Sequence, residues 1–550
     1  MRALQASAPS TRIKYFVNSV MNTVSRCARR AASSTHRQHH TMRAPIRPHA
    51  PSKRPDGALP LSHFRASASP KVRGDLPSLR SALAMRCNGA CGSALQTGDL
   101  GSCCAGQQSS QGGVMRLQGT PRIAWKALVL GGWLLGACAQ EQAALAELEP
   151  TPLVAALSIE SGGTDCDQDY PAQCKVALGQ KLFNDTSLSA SGTLSCAGCH
   201  SDTAAGSGNN KPDDPLFPVS LGAFSELVGQ RNSPSARYAA FNPKFSIVEE
   251  TEEGETEYVP MGGQFWDGRA DTLAAQAAGP FLNPLEMALP DKQSVLERVQ
   301  AAEYAPLFRA VFGQDVFDDV DAAYAHLTDA IAAFEQTDAF APFDSKFDAV
   351  LRGEAELSAE EARGFELFKD PEKGNCLACH VGDLDSRDPR AWLFTDFTYD
   401  NIGVPRNPQI PANHDAQTYD LGLCQQSGLR ERVPAPAPDP DAYVQSLCGA
   451  FKVPSLRNVA RTAPYMHNGY FTDLRAVVDF YATRDTQPGR WYPCGEDANV
   501  HKFDDVPEAY RANVNTSESP MDRQQGDEPR LQPDEIDAIV AFLRTLSDGY

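Results

Sequence analysis

Two short motifs decide most of what this chain can fold into. Cys196-Ala197-Gly198-Cys199-His200 and Cys376-Leu377-Ala378-Cys379-His380 both read C-x-x-C-H. In such a motif two thiols add to the vinyl groups of a haem, and the adjacent histidine sits beneath the iron as proximal ligand. Half of a zinc site, or a redox dithiol, is the competing reading. A zinc knuckle needs a second close C-x-x-C, and neither motif has one. Two copies therefore point to two covalent haems c, attached through Cys196, Cys199 and His200 and through Cys376, Cys379 and His380.

The motifs sit in equivalent frames. Gly179-Gln180-Lys181-Leu182-Phe183-Asn184-Asp185 precedes the first, and Gly364-Phe365-Glu366-Leu367-Phe368-Lys369-Asp370 precedes the second. Each copy also ends alike, on Ile331-Ala332-Ala333-Phe334 and on Ile539-Val540-Ala541-Phe542. A period of about 180–210 residues is a duplicated domain rather than a solenoid. Helical spacing predicts helices over 175–184, 322–337, 358–369, 472–482 and 533–546, with Ser358 and Glu361 as a capping box. Forty prolines imply long irregular connections. The expected fold class is mainly α: two cytochrome c-like domains, 166–345 and 346–550, each built around one haem.

The rest of the chain divides by charge. Residues 1–137 carry 19 basic against 3 acidic residues, a formal +16, which leaves −35 for residues 138–550 of the chain's −19. The acidic 413 residues are long enough for two domains. They repel phosphate, which argues against a nucleic-acid partner. Met115 opens a segment with Arg116, Arg122 and Lys126, followed by the apolar run 127–137 and then Cys138. That run is too short to span a bilayer and fits a signal peptide over 115–137. Leu135-Gly136-Ala137-Cys138 resembles a bacterial lipobox, so Cys138 is the expected lipidated N-terminus, with ordinary cleavage near Ala139 as the alternative. Residues 138–165 read as a tether. Residues 1–114 read as an upstream stretch ahead of the true start at Met115, or else as a basic leader. The expected location is the periplasm, with the membrane touched only through a lipid anchor on the outer membrane.

Nine cysteines follow Cys138, and four belong to the haem motifs. Proximity pairs Cys166 with Cys174 and Cys424 with Cys448, leaving Cys494 free or repartnered; sequence does not settle the connectivity.

Two further stretches carry a family resemblance. One is Phe265-Trp266-Asp267-Gly268-Arg269-Ala270, continuing to Gln276, Pro280 and Glu286. The other is Phe451-Lys452-Val453-Pro454-Ser455-Leu456-Arg457-Asn458-Val459, then Thr462-Ala463-Pro464-Tyr465-Met466-His467-Asn468-Gly469. With both haem motifs they resemble the bacterial di-haem cytochrome c peroxidase/MauG superfamily over about residues 175–548. The resemblance implies that His200 serves a peroxide-reacting haem. Its distal pocket would hold Gln276, Pro280 and the acid–base carboxylate Glu286, which moves a proton from one peroxide oxygen to the other. Trp266 would lie between the haems and carry electrons in two short hops. Its bland reading is a core tryptophan, as that of Glu286 is a surface helix residue.

For the second haem the distal candidates are Met466, His467 and Tyr481. The family frame, fourteen residues after His467, lands on Tyr481, and a tyrosine ligand stabilises oxidised iron where methionine stabilises reduced iron. His326, on an apolar helix, is read as packed rather than ligating. The family also implies a calcium ion held by Asn232 and the carbonyls of Thr462 and Pro464, since hard oxygen donors suit Ca²⁺. The stretch 245–263, with Glu249, Glu250, Glu252, Glu253, Glu255 and Glu257, reads as an acidic loop. The segment 381–450 is longer than a minimal cytochrome needs.

The resemblance implies a peroxidase that reduces hydrogen peroxide to water with electrons from a small periplasmic redox protein, entering through the second haem. The alternative is a MauG-like enzyme that oxidises residues of a partner protein through a bis-ferryl state. A purely electron-transferring di-haem protein, and an oxygenase of the rubber-cleaving type, are the minor alternatives.

Overall fold

The computed structural model describes residues 171–550, apart from 203–204, 207, 209, 212, 253–254, 436, 438 and 496–498. The upstream stretch, the signal segment, Cys138, the tether and Cys166 lie outside the described residues.

The first half begins with α1 (Pro171–Asn184) and the single turn α2 (Cys196–Cys199), then α3 (Leu273–Ala277), α4 (Lys292–Ala301), α5 (Ala305–Phe312) and α6 (Val320–Glu335). The second half holds α7 (Lys346–Arg352), α8 (Ala359–Lys369), α9 (Leu429–Arg432), α10 (Pro440–Ser446), α11 (Leu474–Thr483) and α12 (Pro533–Arg544). Among the described residues none of these is long and apolar enough to cross a membrane. The expected helices are present with ends shifted by a few residues. α8 starts where its capping box predicts: Glu361 N–H donates to Ser358 Oγ at 3.3 Å, and Ser358 N–H donates to Glu361 Oε2 at 2.7 Å. Asp319 caps α6 in the same sense, accepting from Ala322 N–H at 3.0 Å.

The repeat is visible in how the helices cross. α1 packs on α6, and α8 packs on α12. At Gly179 an added Cβ would lie 1.9 Å from the Ala330 carbonyl oxygen and 3.0 Å from Phe334 Cβ. At Gly364 the same distances run to Ala538 and Phe542. Only a residue without a side chain allows this approach. Each crossing seeds its own apolar core. Leu178, Leu182, Phe281, Phe308 and Leu327 fill the first, and Phe368, Phe394, Phe480, Ile539 and Phe542 fill the second.

Buried polar groups join the halves. Asp548 accepts from Tyr238 Oη and from Asn458 Nδ2, both at 2.6 Å. Arg457 donates two bonds to the fully buried Asp348, at 2.9 and 2.8 Å, and lies over the Tyr238 ring. A buried fork of this kind orients both partners. Burial tends to raise the Asp348 carboxyl, but Arg457 and Ser345 outweigh it and hold the group below its ordinary range.

One expectation needs correction, and one open alternative closes. The acidic stretch is not a loop: β1 (Ser246–Glu252) pairs antiparallel with β2 (Glu255–Met261). Ile247, Val248, Tyr258 and Val259 are strong strand formers, and counting charges alone hides them. Ile247 packs on a small third core around Phe245, Tyr399 and Leu423, and the Tyr258 carbonyl accepts from Tyr443 Oη at 2.8 Å. Glu250 faces Glu257 across the ladder. The open alternative concerns cysteine. Cys424 and Cys448 are joined as proximity predicts, but Cys494 is not free: it is disulfide-bonded, as is Cys174. A further short pair, β3 (Tyr399–Asp400) with β4 (Phe451–Lys452), stitches the 381–450 segment to the core.

Replacing Gly364 by Ala should lower the thermal midpoint of the haem-loaded protein. Ala is the better helix former by about 1 kcal/mol, but forcing a Cβ against a backbone oxygen costs about 1–3 kcal/mol or more. A raised midpoint would show that the helices do not meet at Gly364. Arg457→Ala should cost about 3–5 kcal/mol in denaturant unfolding, because it strands Asp348 as a buried, unpaired charge.

Candidate active site

Each C-x-x-C-H segment opens onto a large cavity. The first spans about 2170 Å³ and the second about 1540 Å³, counting the part open to solvent. Interiors are otherwise close-packed, so spaces of this size beneath two thiols and an imidazole fit a porphyrin.

The histidines are held as iron ligands need to be. His200 Nδ1 lies 3.1 Å from the Gly206 carbonyl oxygen, and His380 Nδ1 lies 3.1 Å from that of Phe394 and 3.2 Å from that of Pro454. A carbonyl accepts only, so Nδ1 carries the proton and Nε2 is left with its lone pair. Burial lowers the His200 imidazole and pushes that of His380 down to about 4, which keeps both neutral. None of Cys196, Cys199, Cys376 and Cys379 is in a disulfide. Burial raises the Cys196, Cys199 and Cys376 thiols, the second of them to about 11.

Gln276, Pro280 and Glu286 line the first cavity together with His200 and Trp266. Gln276 is carried by α3. Glu286 follows a tight turn in which Asn283 Nδ2 donates to Glu286 Oε1 at 2.7 Å while Asn283 Oδ1 accepts from Leu285 N–H at 3.0 Å. One asparagine thus fixes both turn and carboxylate. Burial raises the Glu286 carboxyl, and Arg269 and Asn283 only partly offset it. Arg269 is itself divided between Asp267, at 2.9 Å, and the face of Phe265, at 3.5 Å from the ring centroid.

Trp266 borders the first cavity, the second, and a third of about 1020 Å³ between them. Its indole N–H donates to the Asn232 carbonyl oxygen at 2.8 Å, and its own carbonyl accepts from Lys452 N–H at 2.8 Å. Asn232, Thr462 and Pro464 line the third cavity. The Asn232 amide lies 2.6 Å from the Pro464 carbonyl oxygen, and its Oδ1 is buried without a partner. Amide nitrogen and oxygen interchange on rotation, so the site presents oxygen donors to a hard cation.

In the second cavity Tyr481, Met466 and His467 all reach the wall. Tyr481 comes from α11, and its phenol is raised by burial first and then by Cys379 and Asp400. The His467 ring stacks on Phe451 at 3.6 Å, and its Nε2 lies 3.3 Å from Asp505 Oδ2 without hydrogen-bond alignment. Those contacts direct His467 away from a ligand role. Met466 borders the central cavity as well, and its carbonyl oxygen lies 3.3 Å from Asn232 Nδ2. His326 stacks on Phe312 and reaches none of these three cavities.

Three further residues reach the site that the sequence motifs do not single out. Asp420, from the long 381–450 segment, borders the first and second cavities and holds Arg231 at 2.6 Å, while Arg231 also donates to Asp267 at 2.7 Å. No sequence signal announces it. Lys452 donates to the Gly263 carbonyl at 2.5 Å, and burial pushes its amine down to about 7. Glu335, at the end of α6, lines the first cavity. It was legible in the repeat, as the residue after Phe334 where the second copy has Leu543 after Phe542.

Comparison with known proteins gives the family. Residues 173–356 match the family model for di-haem cytochrome c peroxidase. The chain is 38% identical over 404 residues to the methylamine utilization protein MauG of Paracoccus denitrificans, covering 72% of this chain and 93% of that protein. It is 31% identical over 375 residues to the cytochrome c551 peroxidase of Pseudomonas aeruginosa, covering 67% of this chain and 78% of that one. Among solved structures it resembles the diheme peroxidase BthA of Burkholderia thailandensis, with a TM-score of 0.62 and 39% identity over 68% of this chain and 86% of that one.

Cys196→Ser and Cys376→Ser should each disturb attachment at one motif only, leaving the other haem covalently bound. A pyridine haemochrome assay reads this directly. Loss of both haems from either variant would contradict two independent sites.

Proposed function

This chain belongs to the di-haem cytochrome c peroxidase/MauG family, and on that premise we propose that it reduces hydrogen peroxide to water in the first cavity. Electrons enter through the second cavity from a small periplasmic redox protein. The observation that carries this reading is the meeting of His200, Gln276, Pro280 and Glu286, whose carboxyl burial raises, in one cavity. Haem c attached at each motif supplies the iron that binds peroxide and stores electrons. Glu286 takes a proton from one peroxide oxygen and returns it to the other, with Asn283 keeping its carboxyl aimed. Burial raises that carboxyl above its ordinary range, the direction in which an acid–base group serves such a transfer. Trp266 links the cavities, held through Asn232. A calcium ion on Asn232, Thr462 and Pro464 would lock that hold, as hard oxygen donors allow.

A second reading is favoured by Tyr481. An oxygen ligand there stabilises oxidised iron, which suits a MauG-like enzyme that oxidises residues of a partner protein. Export is part of the proposal: Cys424–Cys448 is at home in an oxidising compartment. Lipidation at Cys138, with an outer-membrane anchor, would be read as a diacylglycerol adduct in the intact mass.

Glu286→Gln should retain both haems and slow peroxide consumption by about 10²–10⁴-fold. An unchanged rate would remove Glu286 from the reaction. The protein with both irons ferric, mixed with one equivalent of peroxide in a stopped-flow spectrometer, should react at once if Tyr481 is the ligand. Tyr481→Phe should then alter the low-spin EPR signal. A sample that stays inert until it gains one electron would return Met466 as the ligand and favour the conventional peroxidase.

A further inference from the structure

The two cavities are built on the same pair of helix positions and differ at one of them. Ala330 and Phe334 meet Gly179 as Ala538 and Phe542 meet Gly364, so the crossings superpose α6 on α12 residue by residue. In that register Ile331 matches Ile539, and Glu335 matches Leu543. Ile331 and Glu335 line the first cavity; Ile539 and Leu543 line the second. A carboxyl group therefore stands in the first cavity where the second has a leucine.

Nothing structural accounts for that carboxyl. Glu335 is 5% exposed, as Leu543 is 4% exposed, and its Oε2 is buried without a hydrogen-bond partner. The elements packed against α6 bring it no cation. On α1, Lys175 pairs with Asp329 and Lys181 is exposed. On α4, Lys292 pairs with Asp321, Glu297 is exposed, and Arg298 binds the Ser187 and Ser189 carbonyls. α3 has no charged residue. From the cavity side the titratable residues lining the wall are Cys196, Cys199, His200, Glu286 with Arg269, and Tyr419, together with Arg231, which is paired with Asp267 and Asp420. Burial alone pushes the Glu335 carboxyl up to about 8. Its field reaches the attachment site, since it raises the Cys196 thiol, second only to burial. A buried, unpaired acid costs several kcal/mol if ionised. A leucine in the matching frame shows that the fold does not require one.

We infer that Glu335 is a redox-linked acid of the first site, binding a proton when an electron arrives there and releasing it when the electron leaves. The inference rests on the reading that the first cavity holds a haem. The balance is one electron from the donor protein and one proton from solvent; the only bond formed is O–H on the Glu335 carboxylate, and oxidation reverses both. The carboxylate's charge beside Cys196 is then neutralised at each reduction, which offsets the incoming electron at a buried position where an uncompensated charge is costly. The second site, with Leu543, has no such group.

The experiment is a potentiometric titration of the holoprotein across neutral to alkaline pH, following each haem separately. The first haem's potential should fall with rising pH by up to about 59 mV per tenfold drop in proton concentration, the value for a one-electron, one-proton couple. Glu335→Gln, which keeps the shape, and Glu335→Leu, which copies the second half, should both flatten that dependence and leave the second haem's potential unchanged. Glu286→Gln should keep it. A wild-type slope in both Glu335 variants, or its loss in Glu286→Gln, overturns this inference alone. One covalent haem per wild-type chain would overturn the functional reading with it.

Discussion

At Gly179 and at Gly364 a helix backbone rests directly against the carbonyl oxygen of the helix that closes its half, at Ala330 and at Ala538. No other residue type permits that separation. The contact sets where α1 and α8 deliver the chain, and so where the C-x-x-C-H turns begin. It also sets which faces of α6 and α12 look into the space beyond. The two haem cavities are what remains on the far side of two glycine contacts, walled by Ile331 and Ile539 at matching positions. The halves diverge only after that geometry is established.

Between the cavities the structure relies on backbone rather than on charged side chains to hold Trp266. Its indole N–H reaches a main-chain oxygen, and Asn232, the residue that provides it, is bonded in turn to the His467 carbonyl. Main-chain partners move only when the chain moves, so the indole is fixed relative to both halves. Around it, Asp267–Arg231–Asp420 brings a residue from the long 381–450 segment to the boundary between the cavities. The added length of that segment thus serves the site as well as the surface.

What the sequence disclosed depended on range. The haem motifs, the capping box at Ser358 and the helices over the repeat are local patterns, and the structure has them. Gln276, Pro280, Glu286 and Trp266 came from a familiar frame, and they do meet in the first cavity. The hairpin at 246–261 reads as a loop when its glutamates are counted without the strand-forming pairs Ile247–Val248 and Tyr258–Val259. Asp420 reaches the cavities from a distant segment, a placement that no window of sequence records. Glu335 falls between these cases: it was visible once the two copies were aligned, but its meaning needed the cavities.

The glycine contacts have a consequence for which changes the protein can absorb. A Cβ added at Gly179 or Gly364 would meet a backbone oxygen rather than a side chain that can swing aside. Only a shift of a whole helix relieves such a clash. That shift would carry Ile331 and Glu335, or Ile539 and Leu543, with it, and these residues are cavity wall. Each half of the duplicated chain thus has one position where the smallest possible enlargement is read out as a change in the shape of its cavity.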